Sequence, residues 1–370
     1  MKIVVVGTRG FPGIPGGVEQ HCEQLYPRLV SRGCEVVAAT RAPYLPPEKR
    51  LEEWRGVRFL HLPAVRSKHF EAAFHTWRGV LAARRLRPDL LHFHAIGPSL
   101  FVPLARVLGL KTVMTDHGPD YQRGKWGRGA QAMLRLGESC GVRFSSRVIA
   151  ISKGIAADIA ERYGRPDVAY IPNGVAIPEP IPAGETLRKF GLRPRGYLFT
   201  ACRFVPEKGL EALVAAFGRM PGANLKLAIA GAAQFDDPTG RAVQSAACAD
   251  PRIVLTGFIS GRPLAELFSN AGLFVLPSLY EGLPIALLEA LSYGLPVAVS
   301  DIPQHREVPL PSFRYFPPSR PEAMAEKIAE CLKRGISAEE RKSTLALLRR
   351  DFDWDAIADR TLAVYRSVLG

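Results

Sequence analysis

Nowhere in its 370 residues does this sequence hold the run of about 18 apolar residues that a membrane-crossing helix needs. The opening MKIVVVG is also too short an apolar run for a signal peptide. Six cysteines are present, Cys22, Cys34, Cys140, Cys202, Cys248 and Cys331, with no C-x-x-C pair among them. That absence argues against a zinc ribbon or a disulfide scaffold and for reduced thiols in a cytosol. Solenoid-period repeats are missing as well. With 47% hydrophobic and 23% charged residues, the composition is that of a globular protein rather than a disordered one. The length fits two domains better than one core.

Acidic residues run short in one half only. Residues 1–175 carry 26 Lys/Arg against 14 Asp/Glu, whereas 176–370 carry 23 against 21, so most of the net +14 lies in the first half. A one-sided basic domain suits an anionic partner: membrane lipid, a polyphosphate-bearing substrate, or nucleic acid. Nucleic-acid binding calls for aromatic residues interleaved with Arg and Lys on an open surface. Only Tyr121–Trp126 is of that kind, and no nucleic-acid partner is expected. On a helix over 70–87, Phe70, Phe74 and Trp77 share one face. Arg66, Lys68, Arg78, Arg84, Arg85 and Arg87 surround them. The group suits an anionic membrane surface, although the same face could equally pack in the core.

Short Val/Ile/Leu runs at 2–7, 35–40, 56–63, 89–95, 111–118, 147–152 and 168–174 read as strands. Amphipathic stretches at 18–32, 70–87, 98–108, 128–144 and 153–163 separate them as helices. That alternation describes a parallel sheet covered on both faces. The Pro- and Gly-rich segment 172–196 reads as a linker with its surroundings. Strands follow at 197–202, 225–231, 253–258, 273–278 and 296–301, and helices at 319–334, 337–350 and 354–368. The fold class is α/β, with two doubly wound Rossmann-like domains at 1–175 and 176–352 and a terminal segment 353–370. Such sheets bind ligands outside the carboxyl ends of their strands.

Chemistry gathers at those ends. In YEGLPIALLEALSYG (280–294), Pro284 suits a first helical position. Glu281 then lies in the loop before the helix, and Glu289 more than a turn inside it. A helix N-terminus favours phosphate, and two acids beside it can accept hydrogen bonds from the hydroxyls of a sugar and a ribose. Arg203 and Lys208, after strand 197–202, offer a pyrophosphate a planar fork and a mobile point charge. The loop Gly7–Gln20 is glycine-rich but lacks the G-x-G-x-x-G spacing. His117 ends strand 111–118, where it faces a cleft. His92 and His94 share a face of strand 89–95, but no third ligand is spaced nearby. They therefore read as structural or acceptor-side groups rather than a metal pair. Asp351, Asp353 and Asp355 read as helix-start residues, and no metal is expected. Phe258 is placed to offer a nucleobase an apolar edge.

The spacing of Glu281 and Glu289 resembles the two-glutamate motif of family 4 retaining glycosyltransferases. The leading glycine loop, His117 and the Arg203/Lys208 pair follow that family's order. The resemblance implies the GT-B architecture, two Rossmann-like domains facing across a cleft with the C-terminal helix packing back on the first. It implies a metal-independent hexosyltransferase without a cofactor, for which the nucleotide-sugar, of UDP-sugar or GDP-mannose type, is a substrate. The motif assigns Arg203 and Lys208 to the donor diphosphate, Glu281 to sugar hydroxyls, Glu289 to the ribose and His117 to the donor sugar. Gly16 and Gly17 would lie against donor phosphates, with Gly282, Leu283, Pro284 and Ile285 completing the donor loop. Arg9, Glu19 and His94 fall on the acceptor side. The sequence departs from the pattern at Gly231-Ala232-Ala233, where relatives often keep a second glycine or an acid. The setting implied is bacterial surface-polysaccharide assembly on a lipid-linked or saccharide acceptor, with the protein peripheral on the cytoplasmic face of the inner membrane. Rivals of the same fold are a sugar-nucleotide epimerase and a phosphorylase, the latter needing a cofactor lysine that nothing identifies. A basic nucleic-acid-binding protein is the rival outside the enzymes.

Overall fold

The computed structural model describes residues 1–44, 50–63, 71–122, 126–222, 224–233 and 237–370. The chain forms two compact units, Met1–Gly174 with Trp354–Gly370, and Val175–Asp353.

The first unit begins with β1 (Lys2–Val6), α1 (Gly17–Ser31), β2 (Glu35–Arg41), β3 (Glu53–Trp54) and β4 (Val57–Leu62). Next come α2 (Glu71–Leu86), β5 (Leu90–His94), α3 (Val102–Val107) and β6 (Thr112–Asp116). It continues through α4 (Arg128–Phe144), β7 (Arg147–Ala150), α5 (Lys153–Tyr163) and β8 (Ala169–Tyr170). The sheet order is β3-β4-β2-β1-β5-β6-β7-β8. Among the described residues every pairing is parallel except β3 with β4. The unbroken apolar run of β1 has a plain cause, since both of its faces are covered. Ile3 and Val5 join Leu25, Tyr26 and Leu29 of α1, whereas Val4 and Val6 join Val80 and Ala83 of α2. The two-residue β3 is too short to show an alternation in sequence.

The second unit opens with α6 (Glu185–Lys189), inside the segment that composition marks as a linker. The boundary between the units, Gly174/Val175, falls within that segment, but its latter part is folded: Leu187 and Leu192 are buried. The Glu266 carboxylate accepts from the backbone N–H of Gly184 at 2.8 Å and of Leu187 at 3.0 Å. Then follow β9 (Tyr197–Ala201), α7 (Leu210–Gly218), β10 (Lys226–Ala230), α8 (Pro238–Ala249) and β11 (Ile253–Gly257). They lead to α9 (Gly261–Asn270), β12 (Leu273–Leu276), α10 (Ile285–Ser292) and β13 (Val297–Ser300). The unit closes with α11 (Pro303–Arg306), β14 (Tyr315–Phe316), α12 (Pro321–Arg334) and α13 (Ala338–Asp351). Its sheet is parallel in the order β11-β10-β9-β12-β13-β14.

The last helix, α14 (Trp354–Leu369), belongs to the first unit. Trp354, Ile357, Leu362 and Tyr365 share a core with Cys22, Leu25 and Tyr26 of α1. Arg32 fastens the outer edge, with Nε 2.5 Å from Asp359 and Nη2 3.2 Å from Asp355. Of the DFDWD run, Asp355 is thus held in an ion pair, as is Asp351 with Arg350 at 2.7 Å.

Both sheets reverse direction once. In the first, β2 and β4 extend to one side of β1 while β5 opens the other. In the second, β10 and β11 lie to one side of β9 and β12 to the other. Outside the carboxyl ends at such a switch point the two diverging loops leave a crevice, where doubly wound sheets hold ligands.

Candidate active site

In the second unit the switch point lies between β9 and β12, and the loops leaving these strands are tied together. After β9 the chain makes a tight turn at Pro206–Lys208 that ends on Gly209 at φ 65°. A Cβ on Gly209 would stand 2.2 Å from the Pro277 carbonyl oxygen beyond β12, so glycine is what lets the loops touch. Leu279 N–H donates to the Glu207 carbonyl at 2.8 Å. These contacts bring Lys208 Nζ to 2.5 Å from Glu281 Oε1, which also accepts from Ser278 Oγ at 2.6 Å. Burial pushes the Glu281 carboxyl up, but Lys208, His305 and the Ser278 hydroxyl together outweigh it and hold the group below its ordinary value.

The other donor-side groups expected from the second half of the sequence lie in the same unit. Arg203 is half-buried directly after β9. Glu289 is half-buried on α10 between the buried Leu288 and Ala290. The helix starts one residue later than expected: Pro284 is its N-cap, at ψ 94°, and Ile285 the first helical residue. Leu283, Pro284 and Ile285 bury their side chains, so what they can offer a ligand is backbone. Gly282 is half-buried, and Phe258 is 52% exposed beyond β11. Sequence reasoning missed His305 of α11, which is fully buried. Its Nδ1–H donates to the Ser300 carbonyl at 2.8 Å. Burial lowers its pKa, partly against the opposing pull of Glu281. A lone histidine in IPQHREV gives no signal that it sits beside a motif glutamate.

In the first unit the switch point lies between β1 and β5. Gly7, at φ 104°, lets the end of β1 pass the end of β5, for a Cβ there would stand 2.3 Å from the His94 carbonyl oxygen. The loop that follows is organised from within. Arg9 grips Glu19 with Nε 3.1 Å from Oε1 and Nη2 2.9 Å from Oε2, and its own N–H reaches Oε1 at 3.1 Å. Arg9 Nη2 also donates to the Pro15 carbonyl at 2.5 Å. Burial raises the Glu19 carboxyl, and the Arg9 guanidinium brings it back to below its ordinary value. The two residues read as acceptor-side groups are therefore engaged with each other and with their own loop. Gly16 sits against this pair, with Glu19 Oε2 1.9 Å from where its Cβ would be, while Gly17 opens α1 with nothing within 4 Å on that side.

Histidines gather beyond β5 and β6. His94 is the last residue of β5, His117 follows β6, and His21 comes from α1. Their ring centroids are 5.1 Å apart for His21–His117, 5.4 Å for His21–His94 and 5.3 Å for His94–His117. His94 Nδ1 lies 3.0 Å from His117 Nε2. Burial pushes His21 down to about 4, and His94 and His117 well below the usual imidazole range. This corrects the sequence reading that no third imidazole stands near His94. His92 stays outside the group, held by Tyr365 Oη at 2.6 Å from Nδ1 and Thr115 Oγ1 at 2.8 Å from Nε2. The partners come from two elements that no chain spacing connects to β5.

Of the basic aromatic face on α2, Phe70, Arg66 and Lys68 lie outside the described residues. Trp77 is 41% and Leu81 38% exposed, one turn apart. Arg78, Arg84, Arg85 and Arg87 are exposed, and Phe74 is half-buried. Among the described residues no helix is long and apolar enough to cross a membrane. The aromatic–basic stretch at 121–126 presents no stacking face at Tyr121, which is buried with its hydroxyl accepting from Arg162 Nη1 at 2.8 Å. Residues 123–125 lie outside the described set.

Two family models match the chain in succession: Glycosyltransferase Family 4 over residues 15–177 and Glycosyl transferases group 1 over residues 186–344. An uncharacterized glycosyltransferase of Methanocaldococcus jannaschii is 26% identical over 392 residues, covering 99% of this chain and 98% of its own. A phosphatidyl-myo-inositol mannosyltransferase of Mycobacterium leprae is 25% identical over 390 residues, covering 100% of this chain and 97% of its own. Among solved structures, Anabaena HepE in complex with UDP-glucose superposes with a TM-score of 0.80 at 18% identity, over 99% of this chain and all of that one.

Proposed function

We propose, from the two glycosyltransferase models that match in succession over 15–177 and 186–344, that the chain is a glycosyltransferase of the family 4 type and transfers a hexosyl group with retention from a nucleotide-sugar. The acceptor in this reading is a lipid-linked or other saccharide of bacterial surface-polysaccharide assembly, and no catalytic metal takes part. The observation that carries it is the meeting of Lys208 and Glu281 at the β9/β12 switch point, beside the N-terminus of α10. A diphosphate there finds cations in Lys208 and Arg203 and the free N–H groups of a helix start. Together these stabilise the negative charge that develops on the departing nucleotide. Lys208 keeps Glu281 ionised, which suits it to accept hydrogen bonds from sugar hydroxyls. Glu289 is assigned the ribose, Phe258 the base and Gly16 and Gly17 the donor phosphates, while His117 is offered to the sugar. Retention through a covalent intermediate would need two carboxylates about 5 Å apart across the reacting carbon. The motifs name no second acid opposite the phosphate, and the resemblance favours attack on the leaving-group face, with a donor phosphate oxygen taking the acceptor proton.

HepE, a relative in fold, was crystallised with UDP-glucose, and a relative in sequence is named as a mannosyltransferase acting on phosphatidyl-myo-inositol. Both uridine and guanosine donors are therefore worth screening, and a lipid-linked acceptor accords with the exposed Trp77, Leu81 and arginines of α2. The screen is a thermal shift against UDP- and GDP-sugars. A ligand at 100 times its dissociation constant adds about 2.7 kcal/mol to stability. Transfer with the matching donor should give a product whose anomeric configuration, read by NMR, is that of the donor. An inverted product would overturn the mechanism, and stabilisation by no nucleotide-sugar would overturn the donor assignment.

A further inference from the structure

We propose that His21, His94 and His117 form a binding site for a first-row transition metal of the Zn²⁺ class. The three offer ligand nitrogens that all lie within 4.8 Å of one another. Three imidazoles with an open fourth position are a donor set that Zn²⁺ accepts in tetrahedral geometry, and imidazole suits Cu²⁺ and Ni²⁺ as well.

The surroundings already fix the tautomer required of His21. His21 Nδ1 lies 2.9 Å from Asn173 Oδ1, an amide oxygen that only accepts, so Nδ1 carries the hydrogen and Nε2 the lone pair. His21 is 2% exposed, and that Nε2 has no hydrogen-bond partner among the described residues. A buried imidazole acceptor without a partner is costly unless something occupies it. His94 Nε2 is bonded to the Tyr26 hydroxyl, which leaves Nδ1 as the nitrogen turned toward His117. Each of these two histidines thus has an outer partner that orients the ring, as metal-bound histidines do. Zn–N bonds of about 2.0–2.1 Å put neighbouring ligand nitrogens about 3.3 Å apart. His94 Nδ1 and His117 Nε2, at 3.0 Å, need almost no movement, and the hydrogen that one now donates to the other moves to the far nitrogen of its own ring as the metal binds. The ligand nitrogen of His21, within 4.8 Å of the other two, has the remaining distance to close.

The site differs from a catalytic metal centre in its consequence. Our reading hands His117 to the donor sugar, and a metal held on its Nε2 would remove that contact. Zn²⁺ should therefore inhibit, and should do so in competition with the nucleotide-sugar. Only this consequence rests on the proposed function; binding of the metal does not.

Binding is read on the full, untagged chain by competition of Zn²⁺ with a colorimetric chelator, with no sugar present. One Zn²⁺ per chain is expected, and Co²⁺ should give the intense visible absorption of a tetrahedral site. His21→Gln should weaken binding at least about tenfold, while His61→Gln, whose ring bonds Thr40 and the Leu51 carbonyl, should leave it unchanged. Asn173→Ala keeps every ligand and should weaken binding by a smaller factor through loss of the ring's orientation. It serves as the readout if His21→Gln fails to fold. Affinity indifferent to both variants, or no Zn²⁺ bound in competition with the chelator, overturns the site. Binding without inhibition would leave the site standing and count only against the contact of His117 with the sugar.

Discussion

Replacing Lys208 by alanine should lower turnover by on the order of 10²–10³-fold, the scale for losing one charge-stabilising donor, beyond any loss of stability from leaving Glu281 without its partner, which urea unfolding reads separately. Steady-state kinetics on the purified variant decide it, and wild-type turnover would remove Lys208 from the mechanism. Its pairing with Glu281 adds a feature that spacing alone does not carry, since both side chains share one contact before any ligand arrives. Arg9 and Glu19 make the opposite point. Polar residues in a glycine loop read as ligand groups, yet here they close on each other. Removing one partner of a buried ion pair typically costs about 3–5 kcal/mol, because the other charge is stranded. Glu19→Gln should therefore unfold at clearly lower urea at neutral pH. The folded-state pKa of Glu19 is depressed, so its stabilisation is present above the ordinary carboxylate range and is lost as pH falls through the folded value. The gap between wild type and Glu19→Gln should shrink accordingly on acidification. A gap constant from neutral pH into the acid range would show that the pair contributes through packing alone.

At the scale of elements, α2 decides whether the basic half meets a membrane. Arg78, Arg84, Arg85 and Arg87 are exposed and Trp77 is half out of the core. Each basic residue near an anionic bilayer contributes roughly 1 kcal/mol, screened by salt. The wild-type chain should sediment with anionic liposomes at low salt and be released at high salt, and Arg84→Glu with Arg85→Glu should abolish most of that recovery. Equal recovery on neutral and anionic vesicles would leave the charge to solubility. Elements also show where sequence patterns run out. The long strands β1 and β5 are plain as apolar runs, because a strand covered on both faces has no polar side to show. In contrast, α6 hides in a Pro- and Gly-rich stretch, since its stability comes from the distant Glu266 carboxylate rather than from its own five residues. The start of α10 is displaced by one residue because Pro284 adopts an extended ψ as cap instead of helical geometry.

For the whole molecule, the proposed function has transfer persist in excess EDTA, since it assigns to Lys208, Arg203 and the start of α10 the neutralisation of the diphosphate that a divalent ion would otherwise supply. Complete loss of turnover, restored by Mg²⁺ or Mn²⁺, would contradict that argument. Persistence is also what a merely inhibitory metal at the three histidines requires.

The sequence by itself determined the alternation of strands and helices, the α/β class, and the motif order that points to a glycosyltransferase. Those properties are local: a side-chain period of two or of 3.6 and the chemistry of a loop are written in a few adjacent residues. Tertiary structure decided what no local pattern encodes. Sheet order set β12 beside β9 and so brought Glu281 to Lys208, 73 positions away in the chain. The packing of α14 on α1 gave the C-terminal residues to the first unit. Burial and crossing of three separate elements assembled His21, His94 and His117. Proximity between residues far apart in sequence depends on which faces are buried together, and that is a property of the assembled core.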